Sequence, residues 1–248
     1  MTLLEVADVH KSFHKTHAVR GVTFEIRENE IFGLVGPNGA GKTTTLRMIA
    51  TLLRPTSGVI RFQGKDTAAD PDAFRPHISY LPEDAGVYKN LTGRQYLDFI
   101  ARFFADREDP AVIAGRGAEM TGLGDRLAGR VSGYSKGMTR KLVIARALMV
   151  RPRLAILDEP TSGLDVISAM TVRERIREAT GHGAVLLSSH NLLEVETLCD
   201  RVAFVFAGGV IDHGTPAELL GRHGKRTLEE VFLHLVRDGH RPEGKVSP

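Results

Sequence analysis

The chain has 248 residues, 42% of them apolar, and 33 Lys plus Arg against 30 Asp plus Glu give a formal net charge of +3. That length holds one substantial core with at most an inserted subdomain, and the composition is that of a globular domain, not a disordered tail or a repeat array. Charges of both signs are interspersed, which argues against nucleic acid as a partner, and Val202 to Ile211 falls far short of the roughly 20 apolar residues that cross a bilayer.

Along the chain, Val6 to Phe13 and Val22 to Ile26 read as strands, and Ile31 to Val35 is a bare apolar run suited to a buried one. A glycine-rich turn follows, then a helix over Thr43 to Leu53 that ends before Pro55. From about Asp84 to Val150 strand signals vanish, and Thr92 with Gln95 makes a capping box ahead of Tyr96, Leu97, Phe99, Ile100, Phe103 and Phe104, so this stretch is expected to be an inserted helical subdomain. Leu154 to Asp158 and Ala184 to Ser188 are two more buried strands, which makes the fold class α/β with a mostly parallel core sheet. Val202 to Phe206 and Val210 to Asp212 flank Gly208-Gly209 as a hairpin, Thr215-Pro216-Ala217-Glu218 opens a further helix, and a frayed tail is expected after about Arg237. The single cysteine, Cys199, has no second thiol for a disulfide or a zinc site and is read as a packing residue. Acids at Glu5 and Asp8 and the lack of an apolar stretch behind a basic start give no secretory signal, so a cytosolic chain is expected.

The chemistry centres on Gly36-Pro37-Asn38-Gly39-Ala40-Gly41-Lys42-Thr43, which fits G-x-x-x-x-G-K-[ST] between an expected strand and an expected helix. Glycines let backbone N–H groups turn inward around a phosphate, and the helix N-terminus adds its positive partial charge at the same point. Gly36 through Thr44 are therefore the candidate nucleotide contacts, with Lys42 bridging the β- and γ-phosphates. Thr43 offers a hydroxyl to Mg²⁺, and Asp158, at the end of its strand, is the expected second contact. Glu159 next to it is a candidate general base for the attacking water; a helix-capping acid is the other reading.

Joined to this loop in order is Leu157-Asp158-Glu159-Pro160-Thr161-Ser162-Gly163-Leu164-Asp165, and with it the chain resembles the ABC ATPase family. Tyr134-Ser135-Lys136-Gly137-Met138 stands where the family's Leu-Ser-Gly-Gly-Gln signature belongs, in register with Ala145-Arg146-Ala147-Leu148 downstream; a register on Ser132-Gly133 misses that spacing by three residues. The resemblance implies an ABC ATPase fold with an antiparallel β subdomain, spanning 1–221, and a C-terminal helix and flexible tail over 222–248, where Thr227 to Leu233 resembles the helix of a branch rich in small exporters. It implies that Ser135, Lys136 and Gly137 close over ATP held by a second subunit, a homodimer being expected, and that Asp165 communicates between the two sites. It further implies that Glu83, where the family has glutamine, reaches Mg²⁺ or its water, that His190 contacts the γ-phosphate, and that Phe13 stacks on adenine. Surface acid, structural histidine, core phenylalanine and turn acid remain the plainer readings of Glu83, His190, Phe13 and Asp165. The expected activity is ATP hydrolysis, with ATP and Mg²⁺, driving transport, on analogy export, through a separate transmembrane permease. The chain would sit peripherally on the inner face of the membrane, with the groove near Glu83, Tyr88 and Tyr96 to Phe104 toward the permease. The alternative is a soluble ABC ATPase acting on ribosomes or DNA, although neither a second cassette nor a long coiled-coil insertion is in the sequence; a GTPase would call for an Asn-Lys-x-Asp motif, which is also missing.

Overall fold

The computed structural model describes residues 1–239, so most of the tail expected beyond Arg237 lies outside the described residues. Strands β1 (Thr2–Phe13) and β2 (Thr16–Arg27) form an antiparallel hairpin and begin earlier than their apolar clusters suggest. Leu4, Val6 and Val9 on β1 and Val22, Phe24 and Ile26 on β2 turn into the core. Strand β3 (Ile31–Val35) is buried at every residue, as befits an unbroken apolar run covered on both faces. Helix α1 (Lys42–Ile49) is shorter than expected. Thr51 ends it by adopting φ 57°, and the amides of Leu52 and Leu53 turn back to the Arg47 carbonyl, a left-handed exit that satisfies the last carbonyls of the helix.

Strands β4 (Ser57–Phe62) and β5 (Lys65–Asp66) extend the hairpin into a four-stranded sheet in the order β2-β1-β4-β5. Neither is evident in the sequence, because β4 opens on Ser57-Gly58; Ile60 and Phe62 join the sheet by packing into the same core as Leu4 and Phe24. Helix α2 (Pro71–Phe74), capped by Asp70, leads to β6 (Ile78–Leu81). From there the chain is mainly helical, with α3 (Gly93–Ala101), α4 (Pro110–Thr121) and α5 (Lys136–Leu148). The capping box forms: the Gln95 N–H donates to the Thr92 hydroxyl at 3.1 Å and the Thr92 N–H to the Gln95 side chain at 3.0 Å. Tyr96 and Leu97 are buried, whereas Phe99 and Phe103 stay exposed.

After β7 (Leu154–Asp158) come α6 (Val166–Ala179), β8 (Ala184–Ser189), α7 (Leu192–Leu198), the hairpin β9 (Arg201–Phe206) and β10 (Gly209–Gly214), α8 (Pro216–His223) and α9 (Leu228–Gly239). The second sheet runs β10-β9-β3-β8-β7-β6, parallel except for β10 at its edge. Successive residues of its strands point to opposite faces. Leu34, Ile156 and Leu186 pack toward α1 and the antiparallel sheet. Val35, Leu157 and Leu187 pack toward α5, α6 and α7, in a cluster that also buries Cys199, whose thiol burial pushes up. A third cluster of Tyr96, Leu97, Ile113, Ala114 and Leu127 belongs to the helical stretch. Helix α5 serves both, with Val143, Ile144 and Ala147 in the second cluster and Leu142 in the third.

Ile156 is fully buried at the middle of β7. Ile156→Ala should cost about 2–5 kcal/mol, read as a lower urea midpoint at unchanged slope; an unchanged midpoint would take β7 out of the core.

Candidate active site

Strand register brings the chemistry to one edge of the parallel sheet. Val35 pairs with Ser189, Asp158 with Ser188 and Leu81 with Leu157. The segments that leave these carboxyl ends are therefore neighbours: the loop from Gly36, Pro82-Glu83, Glu159-Pro160 and His190-Asn191. Open α/β sheets bind their ligands in the crevice outside these ends.

Between β3 and α1 the chain passes through Gly39 at φ 81° and Gly41 at φ 104°, conformations that glycine takes without steric cost. A Cβ on Gly41 would also stand 2.7 Å from the Ala18 carbonyl oxygen. Lys42 folds back across the loop: its Nζ donates to the Gly36 carbonyl at 2.6 Å and to the Pro37 carbonyl at 3.2 Å, and lies 3.5 Å from Glu159 Oε1. Pro37, Asn38, Gly39 and Ala40 wall a cleft that also takes in Thr43, Thr44, Glu83 and Glu159.

The Ser188 hydroxyl donates to Asp158 Oδ1 at 2.5 Å and accepts the Glu159 N–H at 3.0 Å. Glu159 sits at φ 48°, a left-handed conformation that costs a non-glycine residue on the order of 1–3 kcal/mol. Its Oε2 lies 2.8 Å from His190 Nδ1; an ionised carboxylate only accepts, so Nδ1 carries the proton. Glu159 Oε1 is buried with no hydrogen-bond partner, although Lys42 stands nearby. Glu159 caps no helix: Asp165 does that for α6, accepting the Ser168 N–H at 2.9 Å, and this amide holds its carboxyl below the usual range.

The other sequence candidates divide. Ser135 is the N-cap of α5 and accepts the Met138 N–H at 3.2 Å, whereas Ser132-Gly133 lies in a 3₁₀ turn. Lys136 is exposed and lies over Gly163, and Gly137 packs against Ser168. None of Ser135, Lys136 and Gly137 lines the cleft around the phosphate loop. Phe13 is 43% exposed at the tip of its hairpin, with Lys11 Nζ 5.1 Å from the ring centroid, which excludes a core role. Among the described residues no three His, Cys, Asp or Glu side chains could hold a metal by themselves. Thr43, Glu83 and Asp158 are nonetheless all oxygen donors, the kind Mg²⁺ takes one or two at a time with phosphates and water, so the residues fit that ion.

Three side chains at the site went unnoticed in the sequence. Arg140 on α5, 8% exposed, donates from Nε to the Pro160 carbonyl at 2.6 Å and from its two terminal nitrogens to the carbonyls of Glu83 at 3.0 Å, Asp158 at 3.1 Å and Glu159. Burial holds it below the usual guanidinium range, while the charges of Glu83, Asp158 and Glu159 pull the other way. Ser188 is the second. The third is Glu194, buried, whose Oε2 accepts the Thr161 hydroxyl at 2.6 Å and whose carboxyl burial pushes up. In sequence Arg140 is one more cation on a helix; only Ser188, in the run before His190, carried a hint.

A mostly parallel sheet with a glycine-rich phosphate loop between its β3 and a helix, and acids at the end of β7, one strand beyond β8, defines a P-loop nucleoside triphosphatase. The sequence profile of the ABC transporter family matches residues 19–162. The chain is 38% identical over 224 residues to the ABC transporter ATP-binding protein NatA of Bacillus subtilis, covering 89% of this chain and 91% of that one. It is 39% identical over 235 residues to the daunorubicin/doxorubicin resistance ATP-binding protein DrrA of Streptomyces peucetius, covering 93% and 70%. A solved structure of the ATP-binding subunit of an ABC transporter superposes with a TM-score of 0.84 at 32% identity, over 95% of this chain and all of that one. The chain belongs to the ABC transporter family, as an ATP-binding subunit with the ATPase fold and activity.

Gly41→Ala adds a Cβ both at positive φ and against Ala18. It should weaken ATP binding about tenfold or more, measured by titration with a fluorescent ATP analogue; wild-type affinity would mean that the loop tolerates a different path.

Proposed function

We propose that this chain powers export through a separate transmembrane permease, working as a pair of identical copies. The observation that carries the reading is the buried Glu159 carboxylate, held by His190 on one oxygen and approached by Lys42 on the other, at the wall of the phosphate-loop cleft. In this reading Gly36 to Thr44 wrap the phosphates with main-chain N–H groups, and Lys42 exchanges its loop carbonyls for β- and γ-phosphate oxygens. Phe13, exposed at its hairpin tip, stacks on adenine. Water attacks the γ-phosphorus, the bond to the β–γ bridging oxygen breaks, and Glu159 takes the proton that water loses. His190, donating from Nδ1, keeps the carboxylate aimed. Thr43, Asp158 and Glu83 would hold Mg²⁺, which supplies charge neutralisation on the phosphate oxygens.

Ser135, Lys136 and Gly137 sit at an exposed helix N-terminus, off the cleft of their own chain. That placement supports their serving ATP held by the other copy, with Asp165 carrying the link between the two sites. Residues 1–221 form the ATPase domain on this reading, with the helical subdomain of about 84–150 inserted and supported by its own apolar cluster; 222–248 form the C-terminal helix and tail. No helix among the described residues is long and apolar enough to cross a membrane, so the path for solute falls to the permease, with this chain on the inner face where ATP is supplied. Tyr88, Phe99 and Phe103 present an exposed aromatic strip, with ring centroids 5.5 Å and 5.2 Å apart, and such a patch suits a docking segment of that partner. Outward direction is supported by the drug-resistance name of the Streptomyces relative.

Glu159→Gln should keep ATP binding, sediment as a dimer in Mg-ATP and lose roughly 10²–10⁴ in turnover. Turnover at the wild-type rate would remove Glu159 as the base, and a monomer in ATP would remove the pairing of identical copies.

A further inference from the structure

We propose that Arg140 is a positioning residue for hydrolysis, tying helix α5 to the peptide of Glu159 so that the base is aimed only while α5 is in place. The inference rests on the reading of Glu159 as the base. A buried cation is ordinarily matched by a carboxylate. Among the described residues Arg140 has no acidic side chain within ion-pair distance; its donors go instead to four main-chain carbonyls, those of Glu83, Asp158, Glu159 and Pro160. Three of these belong to the acid that ends β7, the acid that follows it and the acid after β6, and the fourth to the proline next to Glu159. A carbonyl moves only with its backbone, so a rigid planar fork spread over four of them fixes the path of both strand exits at once.

The strain at Glu159 adds to the argument. A left-handed non-glycine residue persists where its surroundings over-determine it. At Glu159 the N–H is held by Ser188 and the carbonyl by Arg140, so the carboxylate leaves the backbone in one direction. The other end of the tether is α5, whose N-cap is Ser135 and whose apolar faces pack into both the parallel-sheet core and the helical stretch. A rotation of that stretch therefore reaches the Glu159 peptide through one side chain. Lysine cannot replace it, since its three donors radiate from a single point whereas the guanidinium spreads five along a fork.

The full chain carrying Arg140→Lys, Arg140→Gln or, as a control, Glu159→Gln tests this. Steady-state Mg-ATP turnover, binding of a fluorescent ATP analogue and thermal melting are measured for each. Arg140→Lys should bind ATP and melt close to wild type yet lose on the order of 10²-fold in kcat, with KM little changed. Arg140→Gln, which leaves no uncompensated buried charge, carries the same expectation if the lysine variant does not fold. Wild-type kcat in either folded variant overturns the proposal. So does a loss of kcat no larger than the loss of ATP binding or of folded protein, or the failure of both variants to fold, since each describes a merely structural staple. Glu159→Gln separates the two claims. If it turns over normally, the assignment of the base has failed; if it is inactive while Arg140→Lys is not impaired, only the role of Arg140 has.

Discussion

Asp158 and Ser188 lie side by side because β7 and β8 run parallel with those two residues in register, and the rest of the site depends on that pairing. The Ser188 hydroxyl bridges the Asp158 carboxylate and the Glu159 amide, which sets where the chain leaves β7. At the first residue past the end of each strand, Glu159 after β7 and His190 after β8, the two side chains meet. A shift of the register by a single residue would reverse every side chain across the sheet and separate both pairs. The apolar residues that hold the register, Leu157 and Leu187 on one face and Ile156 and Leu186 on the other, are thus as much part of the site as the acids.

Helix α5 is the second constraint. It is buried on two sides, so it cannot shift without disturbing either the parallel-sheet core or the helical stretch. Its first turn carries the exposed segment around Ser135, and a turn later Arg140 enters the site from behind. Helix α6 is linked from the other direction: Asp165 caps it, and Thr161, two residues after Glu159, bonds to Glu194 on α7. The loop from Glu159 to Asp165 is therefore gripped at several points by elements that belong to different layers.

Much of this was legible in the sequence, for identifiable reasons. The phosphate loop combines a glycine pattern, a lysine and a hydroxyl at fixed spacing between a strand and a helix, and Gly41 shows why the spacing is strict: its φ and the Ala18 carbonyl leave no room for a side chain. Buried parallel strands announce themselves as unbroken apolar runs, and caps such as Thr92–Gln95 are local in sequence, so both were readable. Strand β4 was not, because its membership is decided by pairing with β1, far back in the chain, as Val6 pairs with Ile60 and His10 with Ser57. The end of α1 at Ile49 was not either, since the left-handed turn at Thr51 carries no glycine to mark it.

Sequence by itself determined the phosphate-loop pattern, the candidate residues around it and the order of most of the elements that present them, because phosphate cradles, strand periodicity and helix caps are set by neighbours within a few positions. The resemblance read from it also marks Lys136 and Glu83 as departures from the family's pattern. Tertiary structure alone decided that Lys42, Glu159 and His190 converge, that Ser135 to Gly137 stay off their own chain's cleft, and that a cation on α5 is buried against the backbone of both acids. Each of those contacts joins residues on separate strands or layers. Their proximity comes from strand register and core packing, which sum over the whole chain and leave no signature at the residues they bring together.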